Sequence, residues 1–251
     1  MCGRYASSRR PEDLVEEFDI ADVRIPAPLE ADYNVAPTKE VYAVVERLPK
    51  NSAESKESDE PPERQLRVLT WGLVPSWAKD PSIGNRMINA RMETVAEKPA
   101  YKKAFAVRRS LLPADGYFER YPTEELTAAG KPRKQPFFIR PKDGGVLAMA
   151  GLYEIWRDPT KAEDAEDRFR WTCTVITTEA EDSVGHIHDR MPLMVERDRW
   201  SEWLDPRSGG DTGLLVPAAP GMLEAFPVST LVSNVRNNGP ELLEPLPLEE
   251  S

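Results

Sequence analysis

Hydrophobic and polar residues alternate along most of this chain in short bursts, and only a few stretches carry helical spacing. The strongest burst is RWTCTVITT at residues 170–178. Its β-branched side chains predict a strand, with Cys173 inside it as a buried apolar residue. Residues 41–48 and 65–71 read as two further strands, and shorter ones are expected at 109–112, 117–120, 136–140, 146–152 and from Val228 onward. Helical spacing appears at 11–20. There Pro11 suits a first turn, Glu12 and Asp13 suit the positive end of the helix dipole, and Leu14, Val15 and Phe18 share a face. It recurs at 93–107, with Val95, Tyr101 and Phe105 inward despite Pro99, and at 197–204, where Trp200, Trp203 and Leu204 pack.

The segments between these elements are distinct. Residues 21–32 are proline-rich and extended, 33–38 and 72–77 are loops, and 233–239 form an asparagine-rich loop. Residues 49–64 and 157–168 are acidic and poor in hydrophobics, which predicts surface insertions, and 246–251 form an acidic tail. Many short strands, few helices and no internal repeat point to one α+β domain over residues 2–245. Its expected form is a set of strongly bent, mostly antiparallel sheets making a partial barrel with a few peripheral helices.

Composition narrows the class. A chain of 251 residues, 40% hydrophobic, can bury a real core. It has no apolar run of membrane-spanning length, its start lacks the apolar stretch of a secretory signal, and Cys2 stands where myristoylation needs glycine. Two cysteines make no disulfide framework. A cytoplasmic monomer is the expectation. The net charge of −10 argues at first against a nucleic-acid partner, but the acids are concentrated at 51–64, 158–167 and 241–251. Residues 83–112 hold seven bases (Arg86, Arg91, Lys98, Lys102, Lys103, Arg108, Arg109) against two acids. Residues 131–140 add Lys131, Arg133, Lys134 and Arg140 with no acid. A local positive surface fits beneath the acidic total.

Several residues carry candidate chemistry. If Met1 is removed, Cys2 presents an α-amine and a thiol on adjacent carbons, with intrinsic pKa values near ~7.7–8.0 and ~8.5. Such a pair captures an aldehyde twice: the amine forms an imine and the thiol closes a thiazolidine ring. On position alone, the favoured reading is that Cys2 is only the residue after a start codon. The only histidines are His186 and His188, in GHIHDRMP. Their spacing matches no metal motif, so no metal or other cofactor is expected, and His188 reads either as an acid–base group or as a structural turn residue. Glu119 interrupts an apolar strand, GYFER. Facing a pocket it would have a raised pKa and shuttle protons; facing solvent it would be ordinary. Asn89 and Arg91, two apart, suit an oxyanion or a phosphate.

Taken together, MCGRY at 1–5, YNVAP at 33–37, WGLVPSW at 71–77, INAR at 88–91, GYFE at 116–119, HDRMP at 188–192 and SNVRNN at 233–238 closely resemble the SRAP family of SOS-response-associated peptidases, or abasic-site-processing proteins. The resemblance spans residues 2 to about 245 in the family's order. It implies a protein of the DNA-damage response that crosslinks covalently to abasic sites in single-stranded DNA. Cys2 would be the nucleophile, Glu119 the acid–base, Asn89 the positioning amide, and His188 the group that helps open the sugar. Arg4, Asn34, Arg91 and Arg190 would contact DNA, with Pro37 and Trp77 where bases are unstacked. Removal of Met1, by the protein itself or otherwise, would correspond to the peptidase name. Two departures stand out: Ala78 follows Trp77, and Arg120 follows Glu119, where the family often has tryptophan. A trans-acting amidase with an N-terminal nucleophile and a non-covalent DNA-binding module are the competing classes.

Overall fold

The computed structural model describes residues 2–48 and 60–247. Five strands carry the core: β4 (Glu40–Arg47), β5 (Glu63–Trp71), β7 (Arg109–Ala114), β10 (Leu147–Arg157) and β11 (Phe169–Glu179). They pair antiparallel in the order β5-β4-β7-β10-β11, and β11 returns to β5 in parallel, Thr172 opposite Thr70 and Cys173 opposite Trp71. The expected partial barrel is therefore closed. Side-chain alternation explains its two cores. Val41, Ala43, Val45, Leu69, Trp71, Leu112, Met149, Tyr153, Cys173 and Val175 fill the interior. The intervening Tyr42, Val44, Leu66, Leu111, Ala148, Ala150, Leu152 and Ile176 face outward. They are covered by α1 (Pro11–Glu17), α2 (Lys102–Val107) and α4 (Trp200–Leu204) through Leu14, Phe105, Trp200 and Trp203. Burial on both faces is why these strands read as nearly continuous apolar runs.

A second sheet runs β13-β9-β8-β1-β3, built from β1 (Tyr5–Ser7), β3 (Asp32–Val35), β8 (Gly116–Leu126), β9 (Pro132–Pro141) and β13 (Leu223–Pro227). Its inner face shares the barrel's core: Cys2, Tyr5, Val35, Tyr117, Ile139 and Leu223 join the interior cluster, and the Tyr5 ring meets Trp71 at 5.1 Å. Gly116 lets β9 approach closely, because a Cβ there would lie 2.5 Å from the Phe138 ring. Short strands β2 (Asp22–Arg24), β6 (Asn89–Arg91) and β12 (Arg190–Pro192) complete the edges, with β2 on β5 and the other two on β11.

Several expectations change. Residues 93–107 are not one helix: a turn of 3-10 helix at Met92–Thr94 and α2 lie on either side of Pro99, which lacks an amide donor. Val95, Tyr101 and Phe105 are nevertheless buried. The strand expected from Val228 ends just before it, in β13, and Val228 only bridges Pro245. Strands 117–120 and 136–140 extend into a long β8–β9 hairpin. Strands of three or four residues, such as β1, β3 and β6, are too short to show alternation and were not expected.

Of the acidic segment at 49–64, residues 49–59 lie outside the described residues. Glu63 and Arg64 belong to β5, where Arg64 pairs with Glu46 at 2.9 Å. Of the expected tail at 246–251, residues 248–251 lie outside them too. Residues 158–168 join β10 to β11, and Asp158 and Arg168 within that link are buried. Among the described residues no helix is long and apolar enough to cross a membrane.

Candidate functional site

The site forms where the chain's first residues run antiparallel to β8. Tyr5 pairs with Tyr117 and Ala6 with Gly116, and the Phe118 amide donates to the Arg4 carbonyl at 2.9 Å. Continuing this register sets Gly3 opposite Glu119. Cys2 is fully buried, its Sγ 3.9 Å from the Arg4 carbonyl. Asn89 Nδ2 donates to the Cys2 carbonyl at 2.7 Å, and Asn89 Oδ1 is buried with no hydrogen-bond partner among the described residues. Strand β11 positions both remaining groups: Asn89 lies on β6 opposite Val175, and His188 precedes β12, which pairs at Thr177–Glu179. Trp71 Nε1 ties β5 to the same place through the Ile88 carbonyl at 2.9 Å.

A cavity of about 370 Å³ opens next to the segment that holds Cys2, lined by Gly3, Arg4, Phe118, Glu119, Arg120, Lys134, Pro136, His188 and Val232; Cys2 itself lies buried behind this lining. Glu119 is its only carboxylate among cationic or basic neighbours. Burial raises the Glu119 carboxyl above the usual range, with nearby His188 and Arg120 pulling the other way. Burial, reinforced by Glu119, pushes the Cys2 thiol far up, so the buried thiol is protonated at neutral pH. The Arg190 amide donates to His188 Nδ1 at 3.0 Å, which directs the proton of the neutral ring to Nε2. The Asp189 carboxylate lies 2.9 Å from the same Nδ1 and becomes its partner when the ring is protonated.

The structure thus gathers Cys2, Asn89, Glu119 and His188 from four distant parts of the sequence. The expected DNA contacts divide. Arg91 and Trp77 are exposed and Pro37 is half-buried. Arg4 lines the cavity while donating to Asn34 Oδ1 at 2.6 Å and to the Val232 carbonyl at 3.0 Å. Asn34 is fully buried, and its Nδ2 lies within 3.2 Å of the carbonyls of Val232, Asn234 and Asn237. A direct contact to DNA is not available to it; it fastens the asparagine-rich loop beside Arg4. Arg190 is likewise spent internally, with a bidentate pair to Glu93 at 2.6 and 3.0 Å and a bond to the Thr177 carbonyl at 2.7 Å.

The basic stretch at 83–112 also divides. Arg109 is buried and donates to the carbonyls of Trp203 at 2.6 Å and Gly209 at 2.7 Å, while Arg108 pairs with Glu154. Arg86, Lys98, Lys102 and Lys103 remain exposed. Arg120 and Lys134, neither expected as site residues, line the cavity. The signals were present: Arg120 as a departure from the family pattern, and Lys134 in an acid-free basic segment.

A closed barrel capped by a second sheet encloses Cys2 where the two meet, with a basic cavity beside it, in a single-domain α+β protein. The chain belongs to the SOS response associated peptidase (SRAP) family, whose model matches residues 1–235. It is 35% identical to the abasic site processing protein YoqW of Bacillus subtilis, over 97% of this chain and 99% of that one. It is 32% identical to the abasic site processing protein YedK of Escherichia coli, over 98% and 100%. Among solved structures, a Bacteroides thetaiotaomicron protein superposes with a TM-score of 0.76 at 22% identity, covering 98% of this chain and all of that one, a likeness of fold.

Proposed function

We propose that this chain processes abasic sites in single-stranded DNA by forming a covalent thiazolidine with the ring-opened sugar through Cys2. The observation that carries this reading is that Glu119 and His188 line one basic cavity directly beside the buried Cys2, whose carbonyl Asn89 holds. Hydrolysis of the Met1–Cys2 bond, which consumes water and releases methionine, frees the α-amine; the protein itself supplies that peptidase step. The Nε2–H of His188 hydrogen-bonds the sugar ring oxygen, which takes up a proton as its bond to the anomeric carbon breaks while the anomeric hydroxyl releases one, so opening to the aldehyde is proton-neutral. The amine of Cys2 attacks the aldehyde carbon, and the carbinolamine loses water with Glu119 as the acid. The thiol then adds to the imine carbon, Glu119 takes its proton, and the proton ends on nitrogen. Adduct formation releases one water, offsetting the one consumed in freeing the amine, and no oxidant is needed.

The raised thiol pKa supports this order. A protonated thiol is a poor first nucleophile, whereas ring closure onto an adjacent imine has a high effective concentration. The adduct shields the site from strand cleavage during the damage response, and the imine stage accounts for a β-elimination lyase activity. The protein acts in the cytoplasm at the nucleoid, without a metal.

The test is incubation with a single-stranded oligonucleotide carrying one abasic site, followed by a denaturing gel and intact-mass measurement. A heat-stable adduct on protein lacking Met1 is expected. A stable adduct on protein that retains Met1 would overturn the mechanism, and cleavage of peptide amides without any adduct would favour the amidase.

A further inference from the structure

The β8–β9 hairpin runs past the point where β1 and the chain's first residues stop covering it. Arg120 pairs with Pro136, and Pro122 with Lys134. By strand alternation, Arg120 and Lys134 therefore lie on one face as diagonal neighbours, within mutual reach of long side chains. Both are exposed, both line the cavity, and among the described residues neither has a side-chain hydrogen bond or ion pair. The nearest acid along the hairpin with a basic partner, Glu125, pairs with Arg133 at 3.7 Å. The other cation of the wall, Arg4, is occupied by Asn34 and the Val232 carbonyl. Like charges placed this close destabilise a sheet unless an anion joins them.

We infer that Arg120 and Lys134 form a phosphate clamp, holding one phosphodiester of the strand beside the abasic sugar while Glu119, on the opposite face of β8, works on the sugar. The inference rests on the abasic-site reading above and deepens it by naming what the cavity's outer wall binds. A guanidinium fork and an ammonium around one phosphate replace, by charge, the stacking surface that an aromatic residue after Glu119 would offer. The wall then reads the sugar–phosphate backbone and is indifferent to base identity.

The experiment compares parent protein with Arg120→Gln, Lys134→Gln and the double variant, on abasic oligonucleotides in which each flanking phosphate in turn is a neutral methylphosphonate. Parent protein should lose crosslinking rate at subsaturating concentration, by about tenfold, at one flanking position only. The double variant should start at that lower rate and be insensitive to the same substitution. Each lost contact should lower the slope of log K against log salt by roughly 0.7. Thermal melting of the free protein should not fall, since both side chains are exposed and their removal relieves a like-charge pair. Equal rates and salt slopes in parent and variants, or an equal methylphosphonate effect in both, would overturn the clamp. Absence of any adduct with the parent protein would instead remove the underlying reading.

Discussion

The two ends of the barrel use the same side chains to opposite purpose. At the end away from Cys2, Arg67 lies over the Trp171 ring at 4.2 Å, Arg47 lies over it at 5.1 Å, and Tyr153 stacks on the indole at 5.4 Å. Those cations and rings close the barrel upon themselves. At the Cys2 end, the cations Arg120 and Lys134 face an open cavity, a carboxylate is buried with a raised pKa, and the Asn89 Oδ1 acceptor is left unfilled. One end spends its polar groups on the fold. The other leaves Arg120 and Lys134 without an ion pair among the described residues, at the mouth of a cavity.

The sharpest way to break this contrast is Cys2→Ala or Cys2→Ser. Both keep an α-amine but lack sulfur, so heat-stable adduct on denaturing gels should vanish, leaving a transient imine that borohydride traps. Stable adduct from Cys2→Ala without borohydride would refute the aminothiol chemistry. Insertion of an alanine between Met1 and Cys2 should have the same effect.

Next in size is Glu119→Gln, which should slow adduct formation by ~10²–10⁴-fold. Its stability should move the other way. Burial raises the folded pKa of Glu119 above the unfolded value of 4.5, so its contribution is complete below that value and is lost as pH rises through the folded pKa. The glutamine variant should therefore melt at or above the parent at about pH 8, with the advantage shrinking toward acid. A uniformly lower melting temperature would place Glu119 in the fold and not in the chemistry.

Arg109→Met tests the opposite case, a base from the positive stretch that the structure buries. It should cost roughly 3 kcal/mol or more in urea unfolding, because several carbonyls lose a charged donor. Crosslinking by the remaining folded protein should be retained. Smaller still, Arg67→Ala at the far end should lower stability by about 1 kcal/mol and leave the crosslinking rate alone. Arg91→Ala should leave stability alone and reduce the salt slope by roughly 0.7. An exchange of those two phenotypes would reverse the assignment of the ends.

Much of the architecture was legible in the hydrophobic pattern. The strands at 41–48, 65–71 and 170–178 are read directly as short apolar, β-branched runs, because strands buried on both faces show no polar face. What alternation cannot reveal are pairings of two or three residues that gain their stability from distant partners. Barrel closure through Cys173 and Trp71, and the seat of Asn89 on β11, are of that kind.

The site divides in the same way. The sequence by itself determined which residues are chemically able: a thiol at Cys2, a carboxyl at Glu119, an amide at Asn89 and an imidazole at His188, in an order matching the family. Only the tertiary structure decided which charges are available. Arg91, Arg109 and Arg190 look alike in a string of letters, yet one is exposed, one is buried among carbonyls and one is clamped by Glu93. Charge is a property of the residue, but desolvation and pairing are properties of its surroundings. In a barrel these come from strands a hundred residues apart, so the thiol's burial, the carboxyl's raised pKa and the unpaired state of Arg120 and Lys134 emerged only on folding.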